Sequence, residues 1–250
     1  MMEVCFLEMG KTLKYCVKSS YIENKKINKI DIDGKYWNSK RIKRNLYSNY
    51  YVYQFAQSVL LKNRIKNLLD IGCGAGIKLS YFFKDLVPEI FAIDVDNAIK
   101  YCKNNYNFGK FLSFDIENKS TWDKLEGKKF DMIICVDVIE HLNDPDLLIE
   151  LIKKFSNSMT YVVISTPERN VLRGKNCYYS PNSEHVREWN MDEFSEYLNS
   201  KDFEILDHFL LPPIKPNLSI FFLKNFLWSK IRFKKFLGTQ VVQLMVNQDR

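Results

Sequence analysis

No C-x-x-C pair occurs in this chain, although six cysteines are spread along it: Cys5, Cys16, Cys73, Cys102, Cys135 and Cys177. Without paired spacing there is no zinc-binding framework. Scattered thiols of this kind read as reduced side chains in a reducing compartment rather than as a disulfide scaffold. Long apolar runs are also missing, so nothing in the sequence is built to span a bilayer. The stretch from Met1 to Lys18 is interrupted by Glu3, Glu8, Lys11 and Lys14 and lacks the apolar centre of a secretory signal. These absences lead to the expectation of a cytoplasmic protein. Internal repeats and low-complexity linkers are absent as well, which leaves an ordinary globular chain.

What is present suits one decorated domain. The 250 residues are 46% hydrophobic and 14% aromatic, enough to bury a full core. The net charge of +7 is unevenly spread. Residues 1–45 carry 11 Lys/Arg against 5 Asp/Glu, residues 212–250 carry 7 against 1, and the middle carries 19 against 24. Basic flanks attract phosphates, lipid headgroups or nucleic acid. A chain rich at once in Lys, Asn, Ile, Tyr and Phe also reaches such a balance through biased base composition, with no functional meaning.

From residue 66 the hydrophobic pattern becomes regular. Lys66 to Ile71 is a short apolar run that ends in glycines, the mark of a buried strand. Ile77 to Leu86 reads as a helix that stops before Pro88. Strands follow at Glu89 to Ile93, Phe111 to Phe114, Phe130 to Val136 and Tyr161 to Ser165, with a helix at Asn97 to Asn104. Asp144-Pro145 supplies an N-cap and a first-turn proline, and Asn190 with Glu193 a capping box. Late strands are expected at Phe203 to Leu211 and at Thr239 to Asn247. Upstream, Lys11 to Val17 alternates like a strand, and the basic run Lys40 to Arg44 leads into a helix at Tyr47 to Leu61. Strands alternating with helices predict an α/β fold with a parallel sheet, whose ligands bind at the carboxyl ends of the strands. The expected division is an N-terminal extension and helix over residues 1–65, then the main domain over 66–250.

The strongest local signal is Leu68-Leu69-Asp70-Ile71-Gly72-Cys73-Gly74-Ala75-Gly76. Glycines after a strand let the backbone turn tightly and approach a ligand. A dinucleotide fingerprint needs glycine at position 77, which is Ile77. Acids stand at the ends of four successive strands: Asp70, Asp94, Asp115 and Asp137. An acid after the second strand can accept both hydroxyls of a ribose. This arrangement resembles the class I S-adenosylmethionine-dependent methyltransferases over roughly residues 66–211. The resemblance implies a Rossmann-like, seven-stranded, mostly parallel sheet with helices on both faces. It implies S-adenosylmethionine as cofactor, with the glycine loop around its methionine portion and Asp70 near its amino group. Asp115 would stand near the adenine amine and Asp137 beside the methyl donor. The expected cofactor-binding set is therefore Asp70, Gly72, Cys73, Gly74, Gly76, Asp94, Val95, Asp115, Ile116, Val136 and Asp137.

Two further segments address the acceptor. Asp137 to Pro145 resembles the Glu-His-Leu segment of the branch that includes ubiquinone-biosynthesis O-methyltransferases and many sugar and natural-product methyltransferases. The Asn/Asp-Pro-Pro-aromatic tetrapeptide of base-amine methylation is absent. Ser183 to Asn190 resembles the His-Val-Arg-Glu-Trp/Phe segment of methyltransferases tied to surface-polysaccharide assembly. Methylating a hydroxyl requires removing a proton, so His141 and His185 are rival candidates for the base, each with a structural role as the alternative. Arg187 is a candidate contact for a phosphate or carboxylate. Asp137, Glu140 and His141 could in principle bind a divalent ion, but the reading without a metal is preferred. The usual Pro-Gly-Gly turn before the fifth strand is replaced by Ser156-Asn157-Ser158-Met159.

The expected acceptor is a sugar hydroxyl in a nucleotide sugar or surface glycan. A quinone precursor or other small phenol is the alternative, then tRNA, with a non-catalytic cofactor-binding assembly partner as the reading outside enzymes. Pro212 to Gly238 interleaves aromatics with Lys224, Lys230, Arg232, Lys234 and Lys235. It is expected to act as a flap, an oligomer contact or a peripheral membrane contact at the inner face.

The glycine spacing yields a first test. S-adenosylmethionine and S-adenosylhomocysteine should compete for one site in calorimetry, while nicotinamide dinucleotides should not bind. Asp94→Ala should weaken donor binding by about 1.5–3 kcal/mol through the loss of charge-assisted hydrogen bonds. Tight dinucleotide binding without donor binding would overturn the resemblance.

Overall fold

In the computed structural model of this chain, residues 14–24, 37–215 and 237–246 are described. Seven strands form one sheet in the order β3-β2-β1-β4-β5-β7-β6. They are β1 (Asn67–Ile71), β2 (Glu89–Asp94), β3 (Lys110–Ser113), β4 (Phe130–Val136), β5 (Ser156–Pro167), β6 (Phe203–Leu211) and β7 (Thr239–Val246). The first five pair in parallel, and β7 inserts antiparallel between β5 and β6. Central strands buried on both faces must be apolar throughout. That is the composition of Leu68-Leu69 and Met132-Ile133-Ile134-Cys135, all buried.

Helices cover both faces. Helix α2 (Tyr50–Lys62), α3 (Ile77–Phe82) and α4 (Asp96–Asn105) pack with Leu68, Ala92, Met132 and Ile134 in one core. Helix α5 (Pro145–Phe155) and α7 (Met191–Asn199) pack with Leu69, Phe91, Ile133 and Val162 in the other. Two short helices complete the set, α1 (Ser39–Asn45) and α6 (Arg169–Arg173). The chain leaves β1 toward the first face and β4 toward the second. Between these neighbouring strands the connections diverge, and a crevice opens at the strand ends.

Local chemistry sets most boundaries. Asp144 caps α5 through the Asp146 amide, with Pro145 in the first turn. Asn190 and Glu193 form the reciprocal capping box of α7. Helix α3 ends at Phe82, short of the expected Leu86. Strand β5 starts earlier than expected, because Ser156 pairs with Phe130 of β4, and residues 157–160 fall in an irregularity before Tyr161 pairs with Met132. There Thr160 Oγ1 accepts from the Asn157 amide and Asn157 Oδ1 from the Met159 amide. These bonds fix the turn that the missing glycines would have made.

Three expectations change. Lys14–Cys16 is a 3-10 turn with Tyr15 at φ 64, not a strand, and the rest of the proposed strand up to Leu13 lies outside the described residues. The basic run at 40–44 is itself helical, as α1. The boundary expected at residue 65 is no break in packing, since Tyr15, Val17 and Tyr21 join one core and α2 joins the other. The flap expected over 212–238 falls outside the described residues except at its two ends. Among the described residues no helix is long and apolar enough to cross a membrane.

Asn190→Ala should lower stability by about 1 kcal/mol, the usual worth of an N-cap. Asn190 does not line the crevice described below. Urea unfolding should therefore shift while donor binding at saturating folded protein stays as in the parent. An unchanged midpoint would show the cap to be redundant.

Candidate active site

The carboxyl ends of β1, β2, β3 and β4 open onto one cleft of about 750 Å³. Its floor is the loop after β1. Gly72 and Gly74 have φ of 77° and 56°, a region that side chains disfavour. A Cβ on Gly72 would come within 2.3 Å of Val138 Cγ2, and one on Gly74 within 2.7 Å of the Trp37 ring. The loop is therefore restricted to glycine both by conformation and by its roof. Its shape is held from β2: Asp94 accepts from the Gly74 amide (2.7 Å) and from the Val95 amide (2.7 Å). Val95, Asp115 and Ile116 continue the wall past β2 and β3, and Val136 and Asp137 past β4. A cradle closed to side chains, with carboxylates at the ends of β2 and β3, fits a nucleoside carrying an amino-acid arm.

Two of the expected residues stand behind this wall rather than on it. Asp70 is fully buried and accepts both ways from the Tyr53 hydroxyl, at 3.0 and 3.2 Å. Burial pushes its carboxyl up to about 7, against the hydrogen bond from Tyr53 and the charge of Lys78. Gly76 meets Cys102 and Tyr106, so its missing side chain allows α4 to pack closely. Cys73 lines the cleft, as expected, and is 3% exposed.

Asp137 is on the wall, yet its carboxylate is engaged. Oδ2 accepts from Asn49 Nδ2 (2.7 Å) and Oδ1 from Ser165 Oγ (2.9 Å). The residue sits at φ 53, and Asn49 likewise at φ 53. Such backbone strain persists only where surrounding bonds impose it. Here it joins the start of α2 to the ends of β4 and β5.

Beyond Asp137 the cleft changes character. Glu140 is fully buried; its Oε2 accepts from Thr166 Oγ1 (3.0 Å), while Oε1 has no partner among the described residues. Burial, and then the charge of Asp137, raise its carboxyl well above the ordinary carboxylate range. His141 Nδ1 lies 2.7 Å from the Glu184 carbonyl. Burial, then the neighbouring His185, lower its pKa, so the ring is neutral at pH 7. The His141 and His185 rings meet edge to face at 4.8 Å between centroids. One donor atom from each of Glu140, His141 and His185 falls within 4.8 Å of the others. A carboxylate and two imidazoles at that spacing can hold a divalent cation or pass a proton. The two histidines expected as rivals are thus one cluster. Asp137, weighed as a cation ligand, is replaced in the set by His185.

The loop carrying His185 rests on buried charge. His185 Nδ1 faces Glu188 Oε1 at 2.7 Å. Burial alone would raise the Glu188 carboxyl, but hydrogen bonds and charge from His185 and Arg173 hold it down at about 2. Arg187 is not free to meet an acceptor. It is fully buried, gives Nε to Glu23 and its two Nη groups to the Leu142 and Asn143 carbonyls, and lies over Tyr15. Spent on the protein, its charge is structural.

Trp37, Arg41, Arg44 and Lys78 also line the cleft, although sequence reasoning assigns them no site role. The signal was the basic run at 40–44, read as a charged flank. As α1 it turns Arg41 and Arg44 toward the cleft, and the Trp37 ring covers Gly74.

Comparison with known proteins agrees with this geometry. The profile of a methyltransferase domain matches residues 44–208. A ubiquinone biosynthesis O-methyltransferase of Paraburkholderia phymatum is 31% identical over 108 residues, 42% of this chain and 46% of that protein. A small RNA 2'-O-methyltransferase of Xenopus tropicalis is 27% identical over 162 residues, 58% of this chain and 43% of that protein. The chain thus spans about half the length of these curated relatives. Among solved structures, an S-adenosylmethionine-dependent methyltransferase from Clostridium acetobutylicum superposes with TM-score 0.58 at 15% identity, covering 83% of this chain and 96% of that one. At that identity the likeness is one of fold.

Asp70 gives a stability test with a definite sign. In the fold its carboxyl titrates at about 7, against 3.8 when exposed. Between those values the folded protein binds the additional proton, so this group's contribution to stability falls as pH rises from about 4 to about 7. Asp70→Asn should flatten that decline in urea unfolding series without donor present. An identical pH slope in the variant would show that Asp70 ionises freely in the fold.

Proposed function

The chain belongs to the methyltransferase domain family, as a class I enzyme that uses S-adenosylmethionine, and from that premise we propose a finer reading. Its acceptor is a hydroxyl with a second oxygen beside it, as in a catechol or a sugar cis-diol. The observation that carries this reading is the Glu140–His141–His185 cluster at the mouth of β4. A hydroxyl must lose a proton to become a competent nucleophile, and a carboxylate with two imidazoles can take that proton or hold a cation that makes it easier to lose. The names of the relatives, a ubiquinone biosynthesis O-methyltransferase and a small RNA 2'-O-methyltransferase, support oxygen as the acceptor atom.

S-adenosylmethionine supplies an electrophilic methyl group when bound. The work of the chain is positioning, exclusion of water and handling of one proton. Gly72 and Gly74 let the backbone approach the donor, and Asp94 fixes their loop and stands ready for ribose hydroxyls. At the other end, a Glu140 carboxylate oxygen and one nitrogen from each of the two imidazoles lie within 4.8 Å of one another. This donor set suits a divalent cation, which would contribute Lewis acidity to the hydroxyl. Three protein ligands leave positions open for two neighbouring oxygens, which is why a vicinal pair fits better than an isolated alcohol. Without a cation, neutral His141 is suited to take the proton directly.

Labelled donor with catechols, nucleotide sugars and RNA carrying a terminal ribose cis-diol separates the acceptor classes. Stripping metal with a chelator should suppress transfer, and returning Mg²⁺ or Mn²⁺ should restore it. His141→Ala and His185→Ala should each lower turnover roughly 100- to 10,000-fold, with donor affinity little changed. Chelation without effect, alongside inactive histidine variants, would favour direct proton transfer. Full activity in both variants would remove the cluster from the chemistry.

A further inference from the structure

Behind the cluster lies a buried carboxylate that the proposed chemistry leaves unused. Glu188 is fully buried. Its Oε1 faces His185 Nδ1 (2.7 Å), Ser180 Oγ (2.8 Å) and Arg173 Nη2 (3.1 Å), and Oε2 faces Arg173 Nε (3.1 Å). Its backbone is fixed as well: the amide donates to the Tyr21 hydroxyl (3.1 Å), and the carbonyl accepts from Arg169 Nη1 (2.8 Å). Arg173 and Ser180 therefore anchor the side chain, and Tyr21 and Arg169 its backbone.

A carboxylate surrounded by donors offers only lone pairs. The ring nitrogen against it must carry the hydrogen, which leaves the other nitrogen, Nε2, with a lone pair. His141 has the same arrangement by a different route, since its Nδ1 faces a carbonyl oxygen. We infer that Glu188 is a positioning residue: it fixes His185 as the Nδ1–H tautomer, so that the Nε2 lone pair serves the Glu140–His141 side of the cleft. The inference rests on the cluster's proposed role, because both a cation and a proton would be taken by that lone pair. A carboxylate behind a ligating or basic imidazole fixes its orientation and raises its donor strength.

Two-bond ¹H–¹⁵N spectra of the full chain, at about pH 8 where free histidine is neutral, read the tautomer directly. Wild-type His185 should show Nδ1–H. Glu188→Met should lose that preference and weaken Mn²⁺ binding roughly 10- to 100-fold, with donor affinity unchanged. Glu188→Gln, which still presents an amide oxygen, should keep the tautomer and recover much of the affinity. A wild-type His185 protonated on Nε2 would overturn the inference, and so would a folded Glu188→Met with an unaltered tautomer and unaltered Mn²⁺ affinity. Should Glu188→Met fail to fold, the wild-type spectrum alone decides. If wild type binds no Mn²⁺ but His185 changes tautomer with Glu188, the cation reading fails while the positioning role stands.

Discussion

The divergence of the chain on either side of β1 and β4 is the constraint on which the rest of the molecule depends. Parallel neighbours whose connections leave toward opposite faces cannot close the space above their carboxyl ends. The glycine loop after β1 and the Asp137 turn after β4 face each other across that space. The strained turn at Asp137 is held from two sides. Asn49 pulls its carboxylate toward α2 while Ser165 holds it to β5, so three elements meet at one side chain. A change in any of them would be felt at the wall of the cleft.

The two halves of the cleft use buried polarity in opposite ways. On the glycine-loop side, carboxylates are spent on the protein: buried Asp70 on Tyr53, half-buried Asp94 on the Gly74 and Val95 amides. These bonds make a rigid cradle whose ligand chemistry comes mostly from backbone. On the histidine side, Glu140 Oε1 is buried without a partner among the described residues. An unsatisfied buried oxygen costs roughly 1–3 kcal/mol, more for a charged group, and is retained where something else uses it. The nearby imidazoles, each with one nitrogen committed and one left over, point to the same unused capacity.

The glycine-loop half of the cleft was legible in the sequence as a set of strand-end positions, because each part of it is a short run of consecutive residues. Gly72 and Gly74 follow a strand, and Asp94, Asp115 and Asp137 each follow another, so period and punctuation were enough to place them. The limits of that reading are physical. Asp70 carries the right residue type at the right place, yet only packing shows that Tyr53 already holds it. His141 and His185 looked like competitors because sequence distance hides the fold of the 168–190 segment back over β4. Arg187 looked like a ligand-binding cation for the same reason; its partners, Glu23 and the 142–143 carbonyls, come from distant segments. The basic run at 40–44 was read as charge without place, since a seven-residue helix has too little periodicity to declare its inner side.

The segments before β1 carry more of the site than their irregular pattern implies. Tyr21 donates nothing to the cleft itself, but its hydroxyl receives the Glu188 amide, and Trp189 Nε1 donates to the Tyr15 carbonyl. Residues 14–24 therefore strap down the loop that presents His185. Trp37 and α1 do the equivalent for the glycine loop, where the Trp37 ring fills the volume that a side chain on Gly74 would need. The methyltransferase sheet supplies the cleft and the strand-end acids, and these upstream residues close it from both ends. In a transfer reaction that must exclude water and align three atoms, closure of this kind belongs to the chemistry as much as the strand-end residues do. Among the described residues upstream of β1, Tyr15, Val17 and Tyr21 pack into one core and α2 into the other, so the elements that close the cleft are anchored in the same cores as the sheet that opens it.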